Sequence, residues 1–261
     1  MGRSLPDLGI RPLSARSLAL SVLLGSHPPR LPARALVALA ELFGIAGGTM
    51  RTALSRMATN GEVEVDDSHY RLAGRLLERQ ATQDAGRTNP VHHWDGSWWV
   101  AIVPAERRTP HERRAFRARM AHHRMGELRQ GVWLRPANVA GPPAEAELVV
   151  TRGPLLGQDP AALARVLWDL DAIAAAGTKL LASVEDAQGW LGEDDPAVLP
   201  DTFVVSAAVV RYLLLEPQLP VELVAPDWPA PAVRAAYDRL EPAHRRLMSA
   251  FLAEASDPTA P

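Results

Sequence analysis

The stretch Gly48–Leu72, GTMRTALSRMATNGEVEVDDSHYRL, changes from helical to alternating periodicity without a break, so it reads as a helix running straight into a β-hairpin. Met50, Ala53, Leu54 and Met57 recur at helical spacing and form a face that packs on a core. The opposite face carries Thr49, Arg51, Thr52, Ser55 and Arg56, with no acid among them. Asn60-Gly61 ends the helix, because glycine tolerates the left-handed backbone that a helix end needs. Beyond it, Val63 and Val65 point inward, Asp66-Asp67-Ser68 makes a tight turn, and Tyr70 and Leu72 point inward again. A basic, hydrogen-bonding helix followed by a hairpin is the winged form of helix-turn-helix.

Two preceding segments complete that motif. Ser14–Leu24 opens on an N-cap serine and places Leu18, Val22 and Leu23 along one side. Pro32–Phe43 has proline in its first turn and Leu36, Leu39, Ala40 and Phe43 on one face, ending at Gly44. Ile45-Ala46-Gly47-Gly48 is the short glycine-bearing turn between two crossed helices. The motif predicts binding to double-stranded operator DNA, with the Thr49 helix in the major groove. Thr49, Arg51, Thr52, Ser55 and Arg56 are the expected contacts to base edges or phosphate, and Arg16, His69 and Arg71 the expected backbone contacts. The acidic hairpin tip, Asp66 and Asp67, is unlike a phosphate-gripping wing.

Charge is polarised along the chain. Through Pro90 there are 11 arginines against 8 acids, and Val91–Val150 has 9 basic residues against 6 acids. From Thr151 onward the balance reverses to 8 basic against 16 acidic residues, for a total of −2. The front of the chain is therefore the part built to face an anion. At 261 residues the chain exceeds one core of ordinary size, and two or three domains are expected. The absence of cysteine excludes disulfides, thiol catalysis and zinc-finger chemistry. No apolar run reaches membrane-span length on this reading and Met1–Ser14 lacks a signal-peptide core, which predicts a cytoplasmic protein.

The remainder reads as an α+β fold. Leu76–Ala85 is a helix and Gly86–Pro90 a linker. Strands are expected at Trp98–Val103, Gly131–Pro136 and Glu147–Thr151, with helices over Thr109–Gly126 and Asp159–Ala176, the latter carrying Leu163, Val166, Leu167, Leu170 and Ile173. The order β-α-β-β-α fits a ferredoxin-like unit. From Thr178 the chain is mostly helical, with Phe203–Leu215 strongly apolar. The resulting domains are a winged helix over 1–88, a ferredoxin-like centre over 89–177 and a helical C-terminal part over 178–261.

Three segments resemble the PaaX-like family of phenylacetic-acid degradation repressors. They are GTMRTALSRMATNGEVE with RLAGRLLERQ, WDGSWWVAIVPAERR with GVWLRPANV, and FVVSAAVVRYLLLEPQ with LPVELVAPDWP. The resemblance implies a winged-helix domain, a central domain similar to the ferredoxin fold of CRISPR spacer-acquisition nucleases, and a helical C-terminal domain. It also implies a homodimeric repressor whose effector is an aryl-acyl-CoA such as phenylacetyl-CoA. The chain departs from the family's DWPG tail motif at Asp227-Trp228-Pro229-Ala230, where alanine stands in the glycine position.

An acyl-CoA effector needs cations for its phosphates and an apolar slot for its aryl end. Arg107, Arg108, Arg113 and Arg114, with Trp98, Trp99 and Trp133, supply both kinds of group in one part of the sequence. The same residues also read as a core of tryptophans under a solvated arginine face, or as holders of DNA backbone. His92-His93, His111 and His122-His123 do not have the spacing of a closed metal site, and no metal, cofactor or catalytic residue is expected. The competing class is a nucleic-acid-processing or acyl-thioester enzyme that uses the winged helix as an interaction module. Its carboxylate is missing where the first central strand ends in Val103-Pro104-Ala105, Glu106 being the nearest acid.

Overall fold

The computed structural model describes residues 5–10, 12–26, 28–73, 92–103, 109–143 and 148–257. The expected helix at Leu76–Ala85, the linker after it, and Glu106 lie outside the described residues. The chain forms two compact units, one of Met1–Thr88, Ser183–Ala208 and Tyr237–Pro261, the other of Asn89–Ala182 and Val209–Ala236. The described helices are α1 (Ala15–Gly25), α2 (Ala33–Leu42), α3 (Gly47–Thr59), α4 (Pro110–His122), α5 (Pro160–Leu167), α6 (Leu170–Leu191), α7 (Leu199–Leu215) and α8 (Ala230–Glu254). The strands are β1 (Arg30–Pro32), β2 (Val63–Asp66), β3 (His69–Leu72), β4 (Ser97–Ile102), β5 (Gly126–Arg129), β6 (Val132–Pro136) and β7 (Val149–Pro154).

In the first unit, Ser14 caps α1 by accepting from the Ser17 backbone N–H at 3.1 Å. Leu18, Leu23, Leu36, Leu39, Met50, Leu54 and Met57 are fully buried where α1, α2 and α3 meet, and Leu252 of α8 joins them. Each such side chain contributes roughly 1.5–3 kcal/mol of burial. The turn between α2 and α3 is shorter than the sequence implied, because Gly47 and Gly48 already belong to α3. A Cβ on Gly47 would stand 2.9 Å from Val37 Cγ1, so glycine is what lets the two helices approach.

The wing has three strands in the order β1-β3-β2, all antiparallel. β1 has only three residues, two of its positions being Leu31 and Pro32, too short for a periodic signal. Asp67 and Ser68 both adopt positive φ, 45° and 61°, which makes the two-residue turn whose twist matches a hairpin. Val65 is a correction: it is 53% exposed rather than inward. Its register partner is the half-buried Tyr70, and only Val63 and Leu72 at the base of the hairpin reach the core.

In the second unit the strands run β5-β6-β4-β7, every neighbouring pair antiparallel. Counted along the chain this is the order 2-3-1-4 of a ferredoxin-like sheet. β5 was absent from the sequence reading, which carried α4 to Gly126. The helix ends at His122, and Arg124 at φ +55° turns the chain into β5. α5 follows the fourth strand, and no helix lies between β6 and β7 among the described residues. One face of the sheet buries Trp98 and Leu134 against Leu163, Ala164 and Leu167 of α5. The other buries Ala101 and Trp133 against Phe116 and Met120 of α4.

The helix expected over Asp159–Ala176 is two helices. Trp168 is extended, and the Asp169 carboxylate caps α6 by accepting from Ala172 N at 3.0 Å. The break rotates the helical face, leaving Pro196–Leu215 corrects a second expectation, since by length and composition alone it could cross a membrane. Its Val198, Leu199, Thr202, Val205, Ala208 and Val209 are buried, as in the core helix of a folded domain.

Candidate nucleic-acid interface

α3 presents Thr49, Arg51, Thr52, Ser55 and Arg56 to solvent, while Met50, Leu54 and Met57 are buried beneath them. No side chain caps its N-terminus, where Ala46 takes the cap position, so the first backbone N–H groups and the helix dipole face outward. Thr52 Oγ1 donates back to Gly48 O at 3.0 Å. Among the described residues neither Arg51 nor Arg56 forms an ion pair.

The arginines around this helix are arranged differently. Arg16 is paired with Glu62, Arg30 with Asp66 at 3.4 Å, and Arg71 with Glu64. The register places Arg30 beside Arg71 and Arg71 beside Glu64, so the acids of β2 neutralise the arginines of the wing. His69 Nδ1 lies 2.8 Å from Asp67 O at the turn. The basic character of the first unit is thus concentrated on α3, and the wing is close to neutral.

The proposed effector set is spread over both faces of the central sheet. Trp98 is 1% exposed and packs on the α5 side. Trp99 and Trp133 lie on the α4 side, where Trp133 meets Phe116 edge-on at 6.0 Å. Arg113 and Arg114 are exposed on α4, and Arg107 and Arg108 lie outside the described residues. Trp99 donates to Val139 O at 3.1 Å and has the Arg152 guanidinium 5.8 Å from its ring.

A buried polar cluster in the second unit escaped the sequence reading. Arg135, 2% exposed, donates to His123 O at 2.9 Å and Pro136 O at 3.2 Å. Arg124 caps the end of α7, donating to Leu213 O at 2.9 Å and Glu216 O at 3.0 Å. The buried Glu216 carboxylate accepts from Gln218 N at 2.9 Å and Trp228 Nε1 at 3.3 Å. Asn138 Nδ2 donates to Gln218 O at 2.8 Å. Burial raises the Glu216 carboxyl pKa, despite these donors and the nearby Arg124 and Arg234. Burial, reinforced by Arg124, lowers the Arg135 guanidinium to about 9. The signal that could have found the cluster was an arginine at an inward position of a strand, Arg135 two residues after Trp133 in VWLRP.

Comparison with known proteins decides the family. Residues 14–76 match the PaaX-like protein family, 91–147 the PaaX protein central Cas2-like domain, and 168–254 the PaaX-like protein C-terminal domain. The chain belongs to the PaaX-like family. Its ferredoxin-like sheet agrees with the description of the central domain, and membership makes this chain a regulator linked to phenylacetate catabolism. A solved structure, the uncharacterized protein Rv0674 from Mycobacterium tuberculosis, is similar at 38% identity and a TM-score of 0.73. That match covers 91% of this PaaX-like chain and 98% of the mycobacterial one. No curated protein matches significantly.

Proposed function

We propose that this PaaX-like chain is a cytoplasmic, homodimeric repressor that reads operator DNA through α3 and leaves it on binding an aryl-acyl-CoA such as phenylacetyl-CoA. The observation that carries the reading is the acid-free outer face of α3, with Arg51 and Arg56 outside any ion pair among the described residues. Guanidinium groups in that state donate in bidentate fashion to guanine edges without first losing an acidic partner. The side-chain-free N-terminus of α3 adds backbone N–H groups for a phosphate.

Two copies would present two such helices to half-sites about one helical turn, roughly 34 Å, apart. Arg16, Arg71 and His69 contribute backbone contacts in this reading, the two arginines by exchanging Glu62 and Glu64 for phosphate. Arg113 and Arg114 are the candidates for the effector's phosphates, with Trp99 and Trp133 nearest its aryl end and no cofactor needed. An effector that binds the DNA-free form better shifts the population away from the operator by that difference in affinity alone.

The test is fluorescence anisotropy on labelled DNA from upstream of the chain's own gene, at two salt concentrations. Phenylacetyl-CoA, phenylacetate and coenzyme A are then titrated separately. Salt-sensitive, sequence-specific binding released by the thioester alone is expected. Binding that shows no preference over random DNA overturns the operator reading, and release by none of the three removes the effector.

A further inference from the structure

Four buried polar atoms of the second unit have no hydrogen-bond partner among the described residues: Arg135 Nη2, Asn138 Oδ1, Tyr212 Oη and Gln218 Oε1. They belong to one network. Asn138 is joined to Gln218, Gln218 to Glu216, and Glu216 to Trp228 and Arg124. The Glu216 charge also acts on both Arg135 and Tyr212. Arg135 is 2% exposed and Asn138 0%, so neither atom is satisfied by bulk solvent.

The charges do not balance either. Arg124 and Arg234 both act on Glu216, and Arg135 adds a third guanidinium, so three cations share one carboxylate. Buried excess charge is retained where a counter-ion completes it. Arg124, Tyr212, Gln218, Trp228 and Arg234 are half-buried and form the rim through which such a group enters.

We propose that this cluster binds a small organic acid, its carboxylate accepting from Arg135 Nη2 and Tyr212 Oη and a neighbouring O–H or N–H donating to Asn138 Oδ1 and Gln218 Oε1. The donor requirement follows from the two amide oxygens, which repel a bare anion. Nothing in the helix-turn-helix takes part, and the proposal rests on the regulator reading only for its consequence, a second input to the same chain.

The experiment is calorimetric titration of the full, DNA-free chain with sodium mandelate, which carries a carboxylate and an adjacent hydroxyl. Sodium phenylacetate, which lacks the hydroxyl, phenylacetyl-CoA, and sodium chloride at matched ionic strength are titrated in parallel. Mandelate is expected to bind at least fivefold more tightly than phenylacetate, with chloride silent. Arg135→Met risks unfolding the unit, so the decisive variant is Tyr212→Phe, which removes only a hydroxyl without a partner. It is expected to melt at or above the wild-type temperature and to bind mandelate at least fivefold more weakly. No heat from mandelate, equal affinity for phenylacetate, or unchanged binding by Tyr212→Phe overturns the site. Binding of phenylacetyl-CoA without mandelate also overturns it and leaves the effector reading of the previous section standing.

Discussion

Arg16 in the first turn of α1 donates to both oxygens of Glu62, Nε to Oε2 at 2.9 Å and Nη2 to Oε1 at 2.6 Å. The pair joins the start of the motif to the residue that follows Gly61, whose φ of +69° ends α3 and turns the chain toward the wing. It fixes the geometry of the reading helix from outside the core, and it occupies an arginine that would otherwise face phosphate.

Removing the acid separates these two effects. The side chains are 53% and 22% exposed, so Glu62→Gln is expected to cost under about 1 kcal/mol in urea unfolding. The freed Arg16 should strengthen binding to random-sequence DNA and steepen its salt dependence by about one counter-ion. Unchanged anisotropy at low and high salt would show that Arg16 never reaches the backbone. Arg16 also holds the Glu62 carboxyl below its ordinary value. The pair's contribution is present above the ordinary carboxylate range and is lost as pH falls through the lowered folded value.

Arg51→Ala and Arg56→Ala act on the outer face alone. Each is expected to lose about 1–3 kcal/mol of operator affinity if its contact is bidentate to a base. Unfolding free energy should stay within about 0.5 kcal/mol of wild type, because neither side chain is buried. Anisotropy and urea melts on the same preparations check both halves, and wild-type affinity in both variants would remove α3 as the reader.

His244 makes the first unit sensitive to mild acid. Its Nδ1 lies 2.8 Å from Thr202 Oγ1, and burial lowers its pKa to about 4, with Glu241 opposing. The unfolded chain takes up the proton near the ordinary value of 6.5, and the folded chain resists it. Stability therefore falls as pH drops from about 6.5 toward 4, by up to about 1.4 kcal/mol per pH unit. Denaturant titrations across that window should show the slope, and His244→Gln should flatten it.

Gly177 in α6 has no room for a side chain. A Cβ there would meet the Tyr212 hydroxyl and stand 2.6 Å from Pro229 Cγ, in a ring that cannot swing away. Gly177→Ala is expected to destabilise by about 1–3 kcal/mol through overpacking, despite the better helix propensity of alanine. A raised melting temperature would mean that α6 shifts to accommodate it.

The wing turn tolerates improvement. Asp67 and Ser68 both sit at positive φ, where asparagine and glycine are at ease. Replacing the pair by Asn-Gly should stabilise the chain by roughly 0.4–1 kcal/mol. Thermal melts check it, and no gain would mean that the hairpin frays before the unit unfolds.

What the sequence determined by itself was local. The N-cap at Ser14, the stripe Met50, Leu54 and Met57, and the hairpin after Gly61 depend on neighbours a few residues away, and each is where the periodicity put it. The membership in the PaaX-like family was equally legible, since its motifs are linear. Tertiary structure decided what depends on distant partners. β1 exists because Arg30–Pro32 pairs with His69–Arg71, and α4 stops early because the chain must turn into β5. The face of the sheet on which each tryptophan lies follows from the pleat and from the helix that covers it. The cluster of Arg135, Asn138, Tyr212 and Glu216 joins residues up to eighty apart, and burial then set their charges. Periodicity records whether a residue is turned inward; only the fold supplies the charge and the hydrogen bonds it meets there.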